Sequence, residues 1–271
     1  MKDFATCFRE QAIETTGESA VTDTSAHARA TTSIFRARLC SGESVVINLT
    51  WSTNQFFIGV NDGPATSIKA ELLRKKKGVH TFNISSSSIS LLWDFSAARY
   101  GPSPEPIDGF YLALIIDAEI ALLLGDQTEE FLKTINEKLP MADFSLQCRR
   151  EQVTGRSIHS ITKAKFGDAG KVHEIGMRCR DGKEAELLVS IDRKKVVHVE
   201  KLNWNFRGNE IIFVDGLPVD VMWDMHGWWF GGFVGHAVFL FRQRRKVESR
   251  LWLEERETVG FSLLIQAFRS C

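Results

Sequence analysis

The chain has 271 residues, of which 44% are hydrophobic and 25% are charged. This composition is typical of an ordinary globular protein. The 34 Lys and Arg residues balance the 34 Asp and Glu residues, so the formal net charge is zero. A neutral protein lacks the overall electrostatic attraction for nucleic acid or anionic membranes that a basic protein has. The composition therefore gives no strong signal for a nucleic-acid partner.

The cysteines and the N-terminus predict an intracellular protein. The five cysteines are scattered and form no C-x-x-C pair, which favours reduced thiols over disulfides or zinc. The N-terminus has no apolar signal-peptide core, and its acidic residues are unlike a transit peptide. The glycine-rich apolar stretch 227–241 is too short for a transmembrane helix, so we expect a turn leading into a buried strand. These features predict a cytoplasmic or nuclear protein without a transmembrane segment.

The first half of the chain predicts short strands. Residues 1–32 lack apolar periodicity and predict a disordered tail. From residue 33 onward, short apolar segments with β-branched residues follow one another through short connections, which require antiparallel neighbours. The predicted strands are 34–39, 45–51, 56–61, 67–72, 80–84, 89–93, 110–116 and 120–124. The segment 33–140 therefore predicts a first β-meander module.

One helix separates this module from a second one. Within 127–139 the period becomes helical: Thr128 can cap a helix with Phe131, Leu132 and Ile135 on one face, and Pro140 ends it. We interpret 141–156 as a linker and 157–271 as the second β module. Its predicted strands are 158–166, 172–179, 185–191, 196–202, 210–214, 217–223, 236–241, 250–253 and 261–268.

A predicted β-hairpin occurs twice in the sequence. Asp215-Gly216 lies between two alternating apolar runs, which is a strong hairpin signal. The segment 82–94 has the same pattern 130 residues earlier, with Trp93-Asp94 in the place of Trp223-Asp224. This similarity indicates an internal duplication. We predict an all-β fold of two tandem antiparallel modules, either lipocalin-like barrels or one shared sandwich.

Asp224 and His226 are the strongest catalytic candidates. On a continuing strand their spacing puts both on one face, where the carboxylate can orient the imidazole as a general base. Alternatively, Asp224 closes the turn after the hairpin and His226 lies exposed beside it. Asp94 occupies the equivalent place in the first hairpin without a histidine. The repeated aspartate favours the structural interpretation.

No motif predicts a cofactor or a metal ion. The chain has no P-loop, no dinucleotide fingerprint and no nucleophile elbow. His198 shares a predicted strand face with Glu200, and His173 shares a predicted strand with Cys179. Neither pair has a third ligand at a recognised metal-binding spacing.

Two kinds of residues are candidate contacts for a partner. Trp228 and Trp229 are adjacent, with Phe230 next to them; on an extended segment neighbouring side chains point to opposite sides, which leaves one exposed as a binding anchor. The basic runs 74–77 and 242–246 can form a patch for an anionic group or can be solvated loops. The basic candidates are Lys75, Lys76, Arg244 and Arg245.

Four segments resemble a known plant family. They are 204–209 (WNFRGN), 214–226 (VDGLPVDVMWDMH), 101–106 (GPSPEP) and 109–111 (GFY). Together they are similar to the family called domain of unknown function 868, and the similarity extends over about 33–268. The resemblance implies an intracellular plant protein, and it supplies no catalytic residues to transfer.

These observations lead to three hypotheses of function. The first is a non-enzymatic module that binds a protein partner through the Trp228–Phe233 loop and the basic loops. The second is a lipocalin-like carrier of an apolar small molecule. The third is a hydrolase-type enzyme that uses Asp224 and His226.

Overall fold

The computed structural model describes residues 30–52, 56–61, 66–68, 76–84, 86–101, 103–135, 138–167, 170–231, 235–244 and 260–270. Residues 1–29 of the predicted tail lie outside these ranges, and so does the predicted strand 250–253. Residues 30–32 of that tail belong to the first strand. Within the described ranges the chain forms nineteen strands and two short helices. The prediction of an all-β fold is confirmed.

The first half contains β1 (Ala30–Arg38), β2 (Ser44–Ser52), β3 (Phe56–Val60), β4 (Thr66–Ile68), β5 (Lys77–Ile84), β6 (Ser87–Asp94), β7 (Arg99–Tyr100), β8 (Pro106–Asp108), β9 (Tyr111–Ile116), β10 (Glu119–Gly125) and α1 (Thr128–Thr134). The second half contains β11 (Asp143–Gly155), β12 (His159–Lys165), β13 (Val172–Arg180), β14 (Glu186–Ile191), β15 (Lys194–Val199), β16 (Arg207–Val214), β17 (Leu217–Asp224), α2 (His226–Phe230), β18 (His236–Gln243) and β19 (Ser262–Arg269).

One long sheet runs through the described chain. Its nine strands have the order β16-β17-β18-β19-β11-β1-β2-β3-β4. Two four-stranded sheets, β10-β9-β6-β5 and β12-β13-β14-β15, accompany it, together with the small β7-β8 pair. The pairs within these sheets are antiparallel except β11 with β19, which is parallel. The strands mostly pair with their sequence neighbours, as the short connections predict.

Two hydrophobic cores hold these sheets together face to face. In the first sandwich, Ile47 and Phe56 of the nine-stranded sheet share one buried cluster with Leu91 and Leu112 of the β10-β9-β6-β5 sheet. Alternating apolar residues produce this arrangement, because every second side chain of a strand points to the same face. The open sheets pack as sandwiches, and the described residues contain no closed barrel. The sandwich-like alternative fits this packing, although the chain forms two sandwiches that share the long sheet and not one sandwich common to both modules.

The second sandwich is built in the same way. Ile175 and Val189 of the β12-β13-β14-β15 sheet share a buried cluster with Phe239 and Ile265 of the nine-stranded sheet. Leu146 of β11 packs against both clusters. The segment interpreted as a linker is therefore mostly a thirteen-residue strand at the centre of the long sheet.

A polar network crosses the region between the two sandwiches. Arg149 of β11 donates from Nε to Glu151 Oε1 at 2.8 Å and from Nη1 to Glu105 Oε2 at 2.5 Å. The Thr162 hydroxyl of β12 donates to the same Glu151 oxygen. Because Glu151 and Arg149 are largely buried, these mutual contacts satisfy charges that would otherwise be costly to bury.

Two hairpins, β5-β6 and β16-β17, have corresponding pairings. Gly78 lies opposite Trp93 in the first, and Gly208 lies opposite Trp223 in the second. In both hairpins a Cβ on the glycine would meet the indole ring, at 2.5 Å in the first and 2.3 Å in the second. The predicted Asp215-Gly216 turn has positive φ at both residues, 49° and 75°, as a type I′ turn requires.

The helix after β10 differs from its prediction in extent and contacts. It covers Thr128–Thr134, and Gln127 is its N-cap residue, so the expected capping bond of Thr128 does not form. Phe131 is buried, whereas Leu132 of the predicted apolar face is exposed. A helix of about two turns presents too narrow a face to bury three neighbouring apolar residues against β9 and β10.

The expected glycine-rich turn after β17 is also a helix in its first part. Residues His226–Phe230 form α2, and the Gly231 N–H donates to Gly227 O at 2.9 Å. A Cβ on Gly231 would lie 2.4 Å from that same oxygen. Only glycine, which has no Cβ, fits at this tight turn that ends α2.

Candidate functional site

The end of the β16-β17 hairpin fixes the positions of Asp224 and His226. Asp224 Oδ1 accepts the backbone N–H of His226 at 2.9 Å. Its other carboxylate oxygen, Oδ2, accepts the Nε–H of Arg207 at 2.9 Å. The carboxylate therefore closes the turn into α2 and ties it to the start of β16. No described hydrogen bond joins this carboxylate to the His226 imidazole, so the orienting contact of a general base is not formed.

The first hairpin has the same aspartate contacts without a histidine. Asp94 Oδ1 accepts the backbone N–H of Ser96 at 2.9 Å, and Oδ2 lies 3.4 Å from Lys77 Nζ. The hydrogen bonds with Ser96 and the nearby Lys77 ammonium hold the pKa of Asp94 below its ordinary value, although partial burial opposes them. The turn-closing role of the aspartate thus occurs at both positions.

The side chains of α2 point in different directions. Trp228 is 1% exposed and belongs to the core of the second sandwich. The Arg269 guanidinium lies 4.9 Å from the centre of its ring, and its indole N–H has no hydrogen-bond partner in the described structure. Trp229 is half-buried against the same core. In this conformation Trp228 is not a surface anchor, and Phe230, which is 65% exposed, faces solvent instead.

Three neighbouring rings form a group that we call the aromatic patch: Phe206, His226 and Phe230. His226 and Phe230 are exposed, whereas Phe206 is partly buried against the core of the second sandwich. The ring centres are 5.8 Å apart for Phe206 and His226, 5.1 Å for His226 and Phe230, and 5.9 Å for Phe206 and Phe230. The guanidinium of Arg207 lies 5.8 Å from the centre of the Phe206 ring. Trp204, two residues before Phe206, is 85% exposed. Contiguous exposed apolar groups, unlike single exposed residues, often mark interaction sites.

A groove of about 690 Å³ lies next to the aromatic patch, between β15 and β16. Residues of both strands and of the turn between them line it, and Trp223 lies at its base. Its polar and charged lining residues are His198, Glu200, Lys201, Asn205, Arg207, Asn209 and Glu210. Such a lining suits a polar or charged occupant better than an apolar one.

The predicted basic contacts are dispersed. Lys76 is exposed before β5, while Lys75 and Arg245 lie outside the described residues. Arg244 donates from Nε to both oxygens of the buried Asp220, at 2.8 and 2.9 Å. These contacts raise the pKa of Arg244 above its ordinary value. In the described structure Arg244 therefore neutralises a buried carboxylate, and it is not simply a solvated basic residue.

A bridge between the two sheets of the second sandwich was missed by the sequence interpretation. His173 of β13 lies 2.9 Å from Asp215 Oδ2 through Nε2 and 2.7 Å from Asp192 Oδ2 through Nδ1. Asp215 also accepts the Lys171 N–H, and Asp192 accepts the Glu174 N–H. The hydrogen bonds to Asp215 and Asp192 raise the pKa of His173 above its ordinary value. Proximity in the sequence gave no signal, because the three side chains come from separate turns and strands.

The other residues considered for metal binding have different surroundings. His198 Nε2 lies 3.0 Å from Glu186 Oε2, and Cys179 is buried in the core, where desolvation raises the pKa of its thiol. No group of three or more His, Cys, Asp or Glu side chains within the described ranges is arranged to hold a metal ion.

The fold and the site define an all-β protein of two packed sandwiches whose exposed aromatic patch lies at the end of one hairpin. The family model for the plant protein of unknown function, DUF868, matches residues 26–269. The chain belongs to this family, as the resemblance predicts. Comparisons with curated proteins and with solved structures found no match. None of the helices in the described parts of the chain has the length and apolar character to span a membrane.

Proposed function

We propose that this protein is a non-enzymatic interaction module that binds a protein partner through the aromatic patch. The observation that carries the proposal is the group of Phe206, His226 and Phe230, of which His226 and Phe230 are exposed, with the exposed Trp204 two residues before Phe206 in the chain. Aromatic side chains and arginine supply most of the binding energy of many protein interfaces. Here both kinds of residue lie together on the surface.

The patch is held by rigid elements, which lowers the cost of binding. The Met225 N–H donates to Phe206 O at 2.8 Å, and Asp224 fixes both Arg207 and the first residue of α2. Side chains that are already positioned lose less conformational entropy when a partner binds. This preorganisation supports a role in recognition.

We further propose that the two sandwiches arose by internal duplication and that the second copy acquired the contact surface. At the 130-residue shift that aligns the two hairpins, Lys76 occupies the place of Phe206 and Ser96 the place of His226. Tyr100 occupies the place of Phe230, so the first copy keeps the glycine, tryptophan and aspartate of the hairpin and one of the three aromatic positions.

The other two hypotheses have less support. A carrier of an apolar molecule needs an enclosed apolar cavity, whereas the described groove is open and has a polar lining. A hydrolase mechanism would use Asp224 to orient His226, whereas both oxygens of Asp224 contact other groups. We therefore place the interaction module first.

We also propose that the protein acts in the cytoplasm or the nucleus. The scattered cysteines support this location. A fluorescent fusion of the full chain, expressed in plant cells, tests it: a signal confined to the secretory pathway or to an organelle other than the nucleus would contradict the proposal.

Affinity capture from plant extract tests the interaction module. Wild-type protein is compared with Trp204→Ser and Phe230→Ser, and with Ile161→Ser as a control at an exposed apolar residue of β12. We expect a defined set of proteins to be retained by wild type and by the control, and to be reduced at least tenfold by the two patch variants. The same retained set for all four proteins would overturn the assignment of the surface.

A further inference from the structure

Strand β16 is an open edge of the nine-stranded sheet. It pairs with β17 on one side, and no other described strand pairs with it. Over its eight residues it contains no proline and no bulge. Proteins usually protect long edge strands by covering, shortening or interrupting them. This edge, which no part of the described chain covers, therefore needs an explanation.

The hairpin geometry determines which backbone groups of β16 are free. The two-residue turn makes Val214 and Leu217 a hydrogen-bonded pair, and bonded and non-bonded pairs then alternate along the hairpin. The pairing of Phe213 with Pro218 agrees with this alternation, because proline has no N–H to donate. Even-numbered residues of β16 therefore bond to β17.

The odd-numbered residues consequently direct their N–H and C=O groups to the open edge. They are Arg207, Asn209, Ile211 and Phe213. No described backbone hydrogen bond outside the sheet uses these groups. A further strand could thus form a regular ladder of hydrogen bonds along the length of β16.

The two faces of this edge differ in chemistry. On the outer face, Ile211 and Phe213 are exposed, and Phe213 is 73% exposed. On the inner face, Glu210 lines the groove together with Glu200 of the opposite wall. Neither glutamate forms an ion pair with a described residue. An added strand would therefore meet apolar side chains on one face and carboxylates on the other.

We infer that β16 receives an extended peptide segment of the partner as an additional strand, with apolar side chains over Ile211 and Phe213 and a basic side chain toward Glu210. This inference rests on the proposed interaction function and specifies the kind of partner. Backbone hydrogen bonds provide affinity in such strand addition, and the alternating side chains provide specificity.

A second copy of the chain fits this edge less well. Along its inner face a second β16 presents Gly208, Glu210, Ile212 and Val214, none of which is basic. In the register with Arg207 opposite Phe213, Glu210 of one copy also lies opposite Glu210 of the other. Like charges directly opposite in a sheet are destabilising. A peptide with basic residues at alternate positions has the complementary charge.

Peptide selection followed by binding measurements tests the inference. A display library of random ten-residue peptides is selected on the full chain, and enriched peptides are titrated by fluorescence anisotropy. The key variant is Ile211→Pro, which removes an outward N–H while leaving the hairpin bonds intact. The matched control is Thr81→Pro at the equivalent place of the edge strand β5, and circular dichroism checks that both variants fold.

We expect enriched peptides to alternate apolar and basic residues. Their affinity should fall at least tenfold with Ile211→Pro and stay unchanged with Thr81→Pro. Glu210→Lys should weaken these peptides and favour versions with glutamate in place of the basic residue. Failure to enrich such peptides, or equal affinity for Ile211→Pro, would overturn the inference.

Two further results separate this inference from the proposed function. If the partners captured from extract are lost with Phe230→Ser and fully retained with Ile211→Pro, the interaction module stands and strand addition is wrong. Sedimentation velocity tests whether a second copy of the chain binds this edge. If the wild type is a dimer and Ile211→Pro is a monomer, the edge serves self-association and the inference is overturned.

Discussion

The burial of Trp228 leads to a quantitative prediction that separates core residues from contact residues. Trp228 is 1% exposed within the core of the second sandwich. Truncation of such a side chain to alanine costs about 3–5 kcal/mol of unfolding free energy. At about 2–4 °C per kcal/mol for domains of comparable size, Trp228→Ala should lower the melting temperature by roughly 6–20 °C.

Trp228→Phe should destabilise the fold less than Trp228→Ala, for a specific reason. The buried indole N–H has no partner in the described structure, and an unsatisfied buried donor costs about 1–3 kcal/mol. Phenylalanine removes this donor and keeps an aromatic ring under the guanidinium of Arg269. The lost apolar contact is therefore partly offset, and we expect less than half of the alanine effect.

Urea unfolding followed by circular dichroism measures both variants, and Phe230→Ala serves as the surface control. At an exposed position a truncation changes stability by about 0.5 kcal/mol or less. A Trp228→Ala variant within about 1 kcal/mol of the wild type would refute the placement of this side chain in the core. If Trp228→Ala keeps its stability and loses partner binding, Trp228 is a contact residue, as the sequence predicted.

Three further predictions concern the rest of the fold. Because the hydrogen bonds to Asp215 and Asp192 raise the pKa of His173, its bridge should stabilise the fold fully below the unfolded pKa of roughly 6.5 and lose its effect as the pH rises through the folded pKa. The stability difference between wild type and His173→Gln should thus shrink as the pH rises above roughly 6.5, and a constant difference would contradict the bridge. Gly208→Ala and Gly78→Ala should each lower the free energy of unfolding by about 1–3 kcal/mol, because the added methyl group is forced against a tryptophan ring. Gly59→Ala should lower it less, since the nearest atom to its added methyl group is 3.7 Å away. Equal losses in urea unfolding would contradict the close packing of the two glycines against tryptophan. Arg149→Met should lower stability by about 3–5 kcal/mol because two largely buried carboxylates lose their shared cation, and a neutral effect in the same assay would argue against the network between the sandwiches.

The sequence predicted those parts of the fold that depend on local patterns. Asp215-Gly216 between alternating apolar runs predicted the β16-β17 hairpin, because a two-residue turn with positive φ leaves few alternatives. The strand β11 was not recognised, since its burial between neighbouring strands is not matched by an apolar sequence. Two of its charged residues, Arg149 and Glu151, pair with each other instead.

The candidate site was predicted only in part. Phe230 was named with its neighbours, but the assumption of an extended chain missed α2, because five residues are too few for a helical period to be recognised. The bridge of His173 with Asp192 and Asp215 depends on contacts 19 and 42 residues apart in the chain. Such contacts follow from how the sheets pack, which no local pattern reveals.

The affinity of the principal captured partner for wild type and for Phe230→Ser tests the central claim most directly. Both proteins are titrated with the purified partner under the same salt conditions, after unfolding curves have shown equal stability. The account predicts at least a tenfold weaker affinity for Phe230→Ser, since an exposed aromatic anchor would lose its contacts. Equal affinities would contradict the claim that the aromatic patch is the contact surface.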